Sequence, residues 1–480
     1  MELLSSLTEN IKSLKNYLNS QDILFTQISV GKNEGVVVFA KDIVDKTAIG
    51  ELIIKPCAHF NDILSKENLS KTFLHPEKTT LNKICDCVDN VVMGNAVLLV
   101  EGLSCAFSFG VIKTEMRAIT EPPTANVIKG PREGFVESLP VNVSLIRRKI
   151  KSDKLKIENA LLGRLTKTPI AICYIEGVAD YDLVKKIKNR LKSIDIDAIL
   201  DSSYVAKFLG EHKTSVFKQI GNTEKPDVLT AKILEGRVAL IIDGSPITLT
   251  IPYLIVEDFQ SPSDYYNSPY TATLSRLIRL FSVIISVMLP AFFVSAELFH
   301  LQLIPLSFLM TIVNGIKGIP LSPSYEMFFT ILIFEILNET SVRMPKYVGM
   351  VVSIVGGLVL GETAVSAGVI SAPTLMIVAL SGICLYTVPE LEKNFSLIRL
   401  CFLVIGGTLG LYGIILASSV LTVYLVSFEN YSTPLLAPFS PLIKQDLKDG
   451  LFKGFIWSND KRPYSISSKN RKRLKLRKEI

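Results

Sequence analysis

The chain has 480 residues, a length that suits about three domains. Hydrophobic residues make up 48% of it, yet charged residues are dense only before about position 264 and after position 444, which excludes a uniformly soluble globular protein. The net charge of +7 arises largely in segment 453–480, so no nucleic-acid partner is expected, and the seven cysteines follow no metal-ligand or disulfide spacing.

The N-terminal segment 1–20 has no basic region followed by an apolar run. No cleaved signal peptide is therefore predicted, and the long N-terminal portion is expected to stay in the cytoplasm. Leucine and isoleucine recur at helical spacing from Leu3 to Leu18, which predicts an amphipathic helix docked on the surface.

A strand-turn-helix unit occurs twice in the first half of the chain. In Gly35–Cys57 a β-branched run passes through a turn into a helical pattern, with Asp45 placed to cap the helix. The same design returns in Ala171–Leu191, where Asp180 takes the position of Asp45.

A second pair of segments indicates duplication of a whole lobe. Asn95–Phe109 aligns without gaps on Arg237–Ile251, and each predicts a strand, an acidic-glycine turn and a returning strand. Gly94 and Gly236 precede them as candidate left-handed helix ends. The sequence therefore predicts two similar α/β lobes, roughly 27–120 and 152–258.

The soluble half contains no recognisable catalytic motif. The segment GNTEK, Gly221–Lys225, lacks the second glycine and the Lys-Ser/Thr pair of a phosphate-binding loop. The four histidines are scattered, and structural roles are expected for them. We therefore predict that the protein is not an enzyme and has no catalytic, metal-binding or cofactor-binding residues.

A connector joins the two lobes. Pro122 and Pro123 open it as an extended linker, and Gly130-Pro131 and Gly134 allow a compact loop. An amphipathic helix is predicted next, with its apolar face formed by Phe135, Leu139, Val143, Ile146 and Ile150. Arg147, Arg148 and Lys149 fall on or near the polar side, where an exposed basic face is the simplest interpretation.

Four apolar segments predict membrane spans: Ser275–His300, Gly349–Ile370, Pro373–Val388 and the longer Leu397–Val426. Arg276 and Arg279 flank the first span and basic residues follow the last, so both flanks are expected inside. An even number of crossings follows. Between 301 and 346 two further segments either both cross, giving six spans, or form a re-entrant hairpin beside four spans, which is the arrangement that we favour.

Acidic residues interrupt the apolar segments. Glu335 and Glu339 lie one helical turn apart and, with Glu326, are candidate pore or gating residues, because a carboxylate face attracts cations when subunits surround an axis. The alternative is bonding to neighbouring helices. Glu362 lies among small residues, so Glu362, Gly357 and Gly361 are candidates for helix packing.

The connector carries a family resemblance. The segment GPREGFVESL followed by N-x-x-L-I-R-R-K-I resembles the signature of the A subunits of spore germinant receptors, and YIEGVAD, IDGSPITLTIP, SVRMP, VGGLVLGETAVSAGVISAPTLMIVAL and SPLIKQDLKD follow in the order of that family. The matching connector residues are Gly130, Pro131, Arg132, Glu133, Gly134, Arg147 and Arg148. Pro140 and Val143 stand where the family pattern has Arg and Thr, and Tyr386–Pro389 is a slightly altered version of the family's loop.

The resemblance implies a GerA-type subunit of a nutrient receptor in the spore inner membrane, with cytoplasmic soluble parts. Its partners in that family are a permease-like B subunit, a lipoprotein C subunit and membrane lipid. A homo-oligomeric, pentameric ligand-gated cation channel is implied. The alternatives are a germination amplifier linked to the dipicolinate channel, a non-conducting scaffold or, below these, a secondary transporter.

These features define the expected fold class, which combines duplicated cytoplasmic α/β lobes with membrane α-helices. The expected domains are a helix and first lobe (1–120), the connector (121–151), the second lobe (152–264), the transmembrane domain (274–427) and a basic cytoplasmic tail (428–480).

Overall fold

The computed structural model describes residues 2–112, 129–345, 348–349, 354 and 356–474. The chain forms two compact units. The first unit contains Met1–Leu254, Asn430–Thr433 and Ile456–Ile480, and the second contains Ile255–Glu429 and Pro434–Phe455.

The first unit begins with a lobe built on a five-stranded antiparallel sheet of order β1-β2-β4-β5-β3. Its elements are α1 (Leu7–Tyr17), β1 (Ile23–Val30), β2 (Asn33–Ala40), α2 (Lys46–Ile49), α3 (Lys55–Ala58), α4 (Lys66–Thr72), β3 (Lys78–Leu81), α5 (Ile84–Met93), β4 (Ala96–Val100) and β5 (Ala106–Phe109). A π-helical turn, Gly50–Ile54, joins α2 to α3.

The second lobe has a five-stranded antiparallel sheet of order β6-β7-β9-β10-β8, the same order counted from its own first strand. Its elements are α6 (Leu139–Lys149), β6 (Leu155–Leu162), β7 (Thr168–Ile175), α7 (Tyr181–Lys192), α8 (Ser202–Leu209), β8 (Gly221–Thr223), α9 (Pro226–Glu235), β9 (Val238–Ile242) and β10 (Thr248–Ile251).

Several local predictions are confirmed. Asp45 Oδ1 accepts the backbone N–H of Thr47 at 2.8 Å, and Asp180 Oδ1 accepts that of Asp182 at 3.1 Å. Gly94 and Gly236 end α5 and α9 with φ of 99° and 109°, which glycine adopts without steric cost. The predicted hairpins pair as β4 with β5 and as β9 with β10.

The central strands of the first lobe are buried on both faces. Alternate side chains of β2 and β4, such as Val36 and Leu99, pack with residues of α1 and α5. The intervening side chains, such as Val37 and Leu98, pack with residues of the α2 to α4 region. This alternation follows from the two-residue period of a strand, and it explains why these strands read as continuous apolar runs.

The connector helix α6 buries the predicted apolar face, which confirms its amphipathic pattern. The prediction of an exposed basic face is wrong for Arg147, because its side chain is only 1% exposed. Its Nε and Nη2 donate to the carboxylate of Asp22, just before β1, at 3.0 and 2.7 Å. The remaining contacts go to the carbonyls of Ser152 and Leu155 at 3.2 and 3.3 Å. Arg147 thus holds the first lobe to the start of the second.

Late segments of the chain complete the second lobe. Tyr431 lies in its core, where the phenol donates to the carbonyl of Leu209 at 2.8 Å. Ser468 forms a bridge with Ala179, and the N–H of Lys469 donates to the carbonyl of Val178 at 3.2 Å. The segment around Ser468 and Lys469 therefore packs on the second lobe.

The second unit is helical. It contains α10 (Pro269–Phe299), α11 (Leu306–Ile316), α12 (Pro323–Arg343), α13 (Gly361–Ser366), α14 (Ala372–Leu385) and α15 (Glu392–Ser427), and the short strands β11 (Glu429–Asn430) and β12 (Thr433–Pro434) follow. By length and composition, Pro269–Phe299 and Pro389–Ser427 could cross a membrane. The predicted span 349–370 lies partly outside the described residues.

The helix α15 reverses direction at Gly410, where φ is 65° and ψ is −154°. A Cβ added at Gly413 would lie 3.2 Å from the carbonyl oxygen of Ile405, whereas residues eight apart in a straight helix are separated by about 12 Å. The predicted single long span is instead two arms, 392–409 and 411–427, that run side by side.

Contacts between the helices show in which direction each helix runs. The first arm of α15 runs parallel to α10, because Gly406 lies against Ala291 and Gly410 against Phe299. The helix α12 runs the opposite way: Ser324 lies against Gly407 near the reversal, and Asn338 Nδ2 donates to Glu392 Oε1 at 2.6 Å, at the start of the arm. We name the two ends of this unit the Arg276 end and the Gly410 end.

Five described segments pass between these ends: α10, α12, α14, which runs back from Ser371, and the two arms of α15. Gly349 lies against Ser341, and Gly361 lies against Leu375. The segment between these two glycines lies partly outside the described residues, so a span at 349–370 stays a prediction. Eleven-residue α11 makes no pass whereas α12 makes one, which differs from the favoured hairpin between 301 and 346.

The Asp22–Arg147 pair gives a test of the junction between lobes. Arg147→Ala leaves a buried carboxylate without its cation and should destabilise the first unit by about 3–5 kcal/mol. Arg148→Ala is the matched control, because this neighbour pairs with Glu133 while 36% exposed and should change stability by at most about 1 kcal/mol. Hydrogen exchange of the backbone amides of Gln21 and Ile157 in the full chain measures the difference, and equal exchange in both variants contradicts the assigned role.

Candidate functional site in the helical unit

An arginine is buried among the apolar helices of the second unit. Arg399, on the first arm of α15, is 1% exposed. Its Nη2 donates to Glu335 Oε1 of α12 at 2.5 Å, and its Nη1 donates to Ser381 Oγ of α14 at 3.0 Å. Its Nε has no acceptor among the described residues. The carboxylate is what permits a full positive charge at this depth.

Serines extend this contact to four helices. Ser396 Oγ donates to the same oxygen of Glu335, one helical turn before Arg399. Ser381 Oγ accepts from Arg399 and donates in turn to the carbonyl of Ser286 on α10 at 2.7 Å. The network therefore joins α10, α12, α14 and α15 through one ion pair, and any sliding of α12 must break it.

The candidate pore residue Glu326 is also committed to a helix contact. It is 1% exposed, and its Oε1 accepts the N–H and the hydroxyl of Ser371, both at 2.7 Å. Ser371 caps the N-terminus of α14, an end that favours negative charge. Glu326 thus fixes α12 to α14 at the Gly410 end.

Glu339 lies in a different environment from Glu335, one turn away. It is exposed and pairs with Arg343 of its own helix at 2.6 Å. Within the described chain, Glu335, Glu339 and Glu326 are therefore all engaged, the first and third by neighbouring helices. A shared cation-attracting face stays a prediction for an assembly of several subunits.

The three residues that are predicted to pack helices together lie in different surroundings. Gly361 lies against Leu375, which leaves little room for a side chain there. Glu362 is exposed, and a Cβ added at Gly357 would meet no atom within 4 Å in the described chain. Their role in packing between helices stays a prediction for the assembled protein.

The connector motif is anchored on the second lobe. Gly130 has φ of 122°, and the carbonyl of Pro131 accepts from the wholly buried Lys225 Nζ at 2.8 Å. Glu133 pairs with Lys149 at 3.0 Å and with Arg148 at 3.5 Å. Arg132 has partners of its own, and Gly134 precedes Phe135, whose N–H donates to the carbonyl of Glu224 at 2.8 Å. These contacts give the motif a structural role, because they fix the connector to the second lobe.

Sequence reasoning missed Arg399. The available signal was an arginine inside the apolar run that begins at Leu397, because a charge at membrane depth requires a partner. Within the described ranges no group of three or more His, Cys, Asp or Glu could hold a metal ion.

The chain is similar in sequence to known proteins. Spore germination protein KA of Bacillus subtilis (strain 168) is 36% identical over 98% of this chain and 88% of its own length. The uncharacterized membrane protein YfkQ of the same organism is 32% identical over 97% and 92%. A solved structure is also similar: the crystal structure of the N-terminal domain of the A subunit of the Bacillus megaterium spore germinant receptor GerK3. Its sequence is 30% identical to this chain, the TM-score is 0.43, and the match covers 53% of this chain and 98% of that domain.

A family model described as Bacillus/Clostridium GerA spore germination protein matches residues 9–465. The match extends over nearly the whole chain, and both of these Bacillus subtilis relatives exceed 30% identity across almost all of it. The protein therefore belongs to the GerA family of spore germination proteins.

Proposed function

We propose that the protein is the A subunit of a nutrient germinant receptor in the spore inner membrane. One of the relatives described above is named a spore germination protein, and the other is named a membrane protein. The expected partners are a permease-like B subunit and a lipoprotein C subunit. Both soluble parts lie in the cytoplasm in this proposal, because basic residues flank the first and last apolar helices.

The five described passes of the second unit and the predicted span 349–370 act as six membrane crossings in this proposal. An even number returns the chain to the side where it entered, which agrees with basic flanks at both ends. The arms of α15 and the helix α14 are short for a hydrocarbon layer of about 30 Å, which implies local thinning of the bilayer or polar surroundings at their ends.

The Arg399–Glu335 pair is the observation that carries the functional proposal. Rings of carboxylates attract cations into a conducting path, and here the carboxylate of Glu335 is neutralised by a buried arginine. We infer that this pair holds a closed state and that opening separates α12 from α15, which frees Glu335 to attract monovalent cations. A homo-oligomer, pentameric as the family resemblance implies, places Glu335 from each subunit around one axis.

A charge-swap series tests this function. Arg399→Gln weakens the ion pair and keeps the Glu335 carboxylate, so spores that carry it should release potassium without nutrient roughly tenfold faster, the change expected for about 1.4 kcal/mol. The double variant Glu335→Arg with Arg399→Glu restores an ion pair and should return release toward the wild-type rate. Arg343→Gln is the control, because its pair with Glu339 lies within one exposed helix.

The outcome separates the proposal from its alternatives. If Arg399→Gln and Arg343→Gln release potassium equally slowly while both assemble at normal levels, the non-conducting scaffold is favoured. Release triggered by ions rather than by a nutrient favours the germination amplifier.

A cysteine-accessibility map in a cysteine-free background tests the six crossings. Tyr412→Cys, just past the reversal and 74% exposed, should react with an impermeant maleimide from outside. Glu390→Cys, before the first arm, should react only from inside. Labelling of Glu390→Cys from outside contradicts the six-crossing path and restores four spans with a hairpin.

A further inference from the structure

A distant segment of the chain fills part of the core of the second lobe. The strands β11 and β12 form a short hairpin, and its turn residue Tyr431 is 6% exposed and belongs to the apolar core of this lobe. Among the described residues, the core clusters of the first lobe draw only on positions before 112. The two lobes share one sheet order, so the residue that enters from position 431 is specific to the second lobe.

Tyr431 contacts two different helical regions of the lobe at once. On one side, its ring centroid lies 5.1 Å from the Lys186 ammonium and 5.1 Å from the Arg190 guanidinium, both on α7. On the other side, its phenol donates to the carbonyl of Leu209, the last residue of α8, and its backbone N–H donates to Glu211 Oε2, each at 2.8 Å. Cations bind the face of an aromatic ring, so a displacement of α7 relative to α8 must break contacts of Tyr431.

An ion cluster closes the slot in which the ring of Tyr431 lies. Glu211 pairs with Lys186 at 2.7 Å and with Arg190 at 3.2 Å. Arg190 Nη1 also donates to the carbonyl of Leu209 at 2.6 Å. The slot therefore exists only while α7 and the end of α8 lie together.

The backbone of the hairpin is held in a conformation that its residues seldom adopt. The two turn residues, Tyr431 and Ser432, have φ of 51° and 58°. A two-residue turn with positive φ at both positions normally carries Asn and Gly, because other L-residues meet steric resistance there. The buried contacts of Tyr431 keep the turn in this strained state, and their loss allows the hairpin to relax.

A short link connects the hairpin to the helical unit. The second arm of α15 ends at Ser427, three residues before Asn430. The N–H of Leu435 donates to the carbonyl of Phe428 at 2.9 Å, and the N–H of Ile255 donates to the carbonyl of Leu435 at 3.1 Å. These bonds tie both strands of the link to the residue at which the chain enters the second unit. Three residues span at most about 11 Å, so the link has little slack and a moving hairpin pulls on the arm.

We propose that the hairpin 429–434 couples the second lobe to the second arm of α15, with Tyr431 as its positioning residue. This coupling rests on the gating function proposed above. While the ring stays in its slot, the hairpin restrains the second arm, which packs on the first arm and so keeps Arg399 paired with Glu335. Separation of α7 from the end of α8 releases the ring, the turn relaxes, and the arm becomes free to move.

Spontaneous potassium release from spores tests the positioning role of Tyr431. Tyr431→Ala empties the slot, so release without nutrient should be roughly tenfold faster, a change within the range typical of coupling between sites. Tyr431→Phe keeps the ring between the cations and should release potassium at close to the wild-type rate. Tyr181→Ala, at a 61% exposed tyrosine of α7, is the matched control and should also keep the wild-type rate.

An insertion variant separates the coupling from the stability of the lobe. Two glycines inserted between Glu429 and Asn430 lengthen the link and remove no contact of Tyr431, so spontaneous release should again be roughly tenfold faster. Two glycines inserted between Lys213 and Thr214, which are exposed in the second lobe, are the matched control and should leave release unchanged. Hydrogen exchange at the amide of Tyr431 should stay slow in both variants, because the lobe keeps its core.

The results distinguish failure of the coupling from failure of the gate. Wild-type release by the variant with glycines after Glu429, with the amide of Tyr431 still protected, overturns the coupling even if Tyr431→Ala is fast. The insertion decides alone if Tyr431→Ala fails to assemble. Arg399→Gln is measured in parallel. Fast release by that variant keeps the gate when the coupling fails, whereas wild-type release by it overturns the gate and the coupling with it.

Discussion

A buried positive charge constrains the whole helical unit. The guanidinium of Arg399 cannot be solvated where it lies, so the sequence must supply a carboxylate and hydroxyls from other helices at the same level. Glu335 and Ser381 do so only if α12 and α14 approach α15 closely. Small residues at the contacts, such as Gly406 against Ala291 and Gly407 against Ser324, make that approach possible. The packing and the electrostatics of this unit therefore depend on each other.

Buried arginines connect distant segments in both units. The three largest wholly buried side chains in the described ranges are Arg147, Arg276 and Arg399. Each reaches residues far away in sequence: Asp22 for Arg147, Asp449 for Arg276 and Glu335 for Arg399. Arginine suits this role because its planar fork of donors stays charged and can satisfy a carboxylate and several carbonyls together. Removal of one partner leaves the other charge buried without compensation, which destabilises the folded state.

Sequence reasoning found what is decided locally. The caps at Asp45 and Asp180, the left-handed glycines and the hairpins depend on neighbouring residues, and all of these agree with the structure. Long-range features escaped it. The partner of Glu335 lies 64 positions away in the sequence. The helical pattern alone predicts a surface position for Arg147, because it does not show that Asp22 lies beside it in the fold. The reversal at Gly410 has no proline to mark it, so an unbroken apolar run concealed a change of direction.

The position of Tyr431 in the core of the second lobe has a consequence for biogenesis. During synthesis the ribosome completes both sheets of the first unit before it makes the apolar helices, and Tyr431 and Ser468 emerge only afterwards. The second lobe therefore keeps part of its core unfilled until the helical unit has been synthesised. Its folding can be completed only after that unit has been made, so the order of synthesis couples the two units in time.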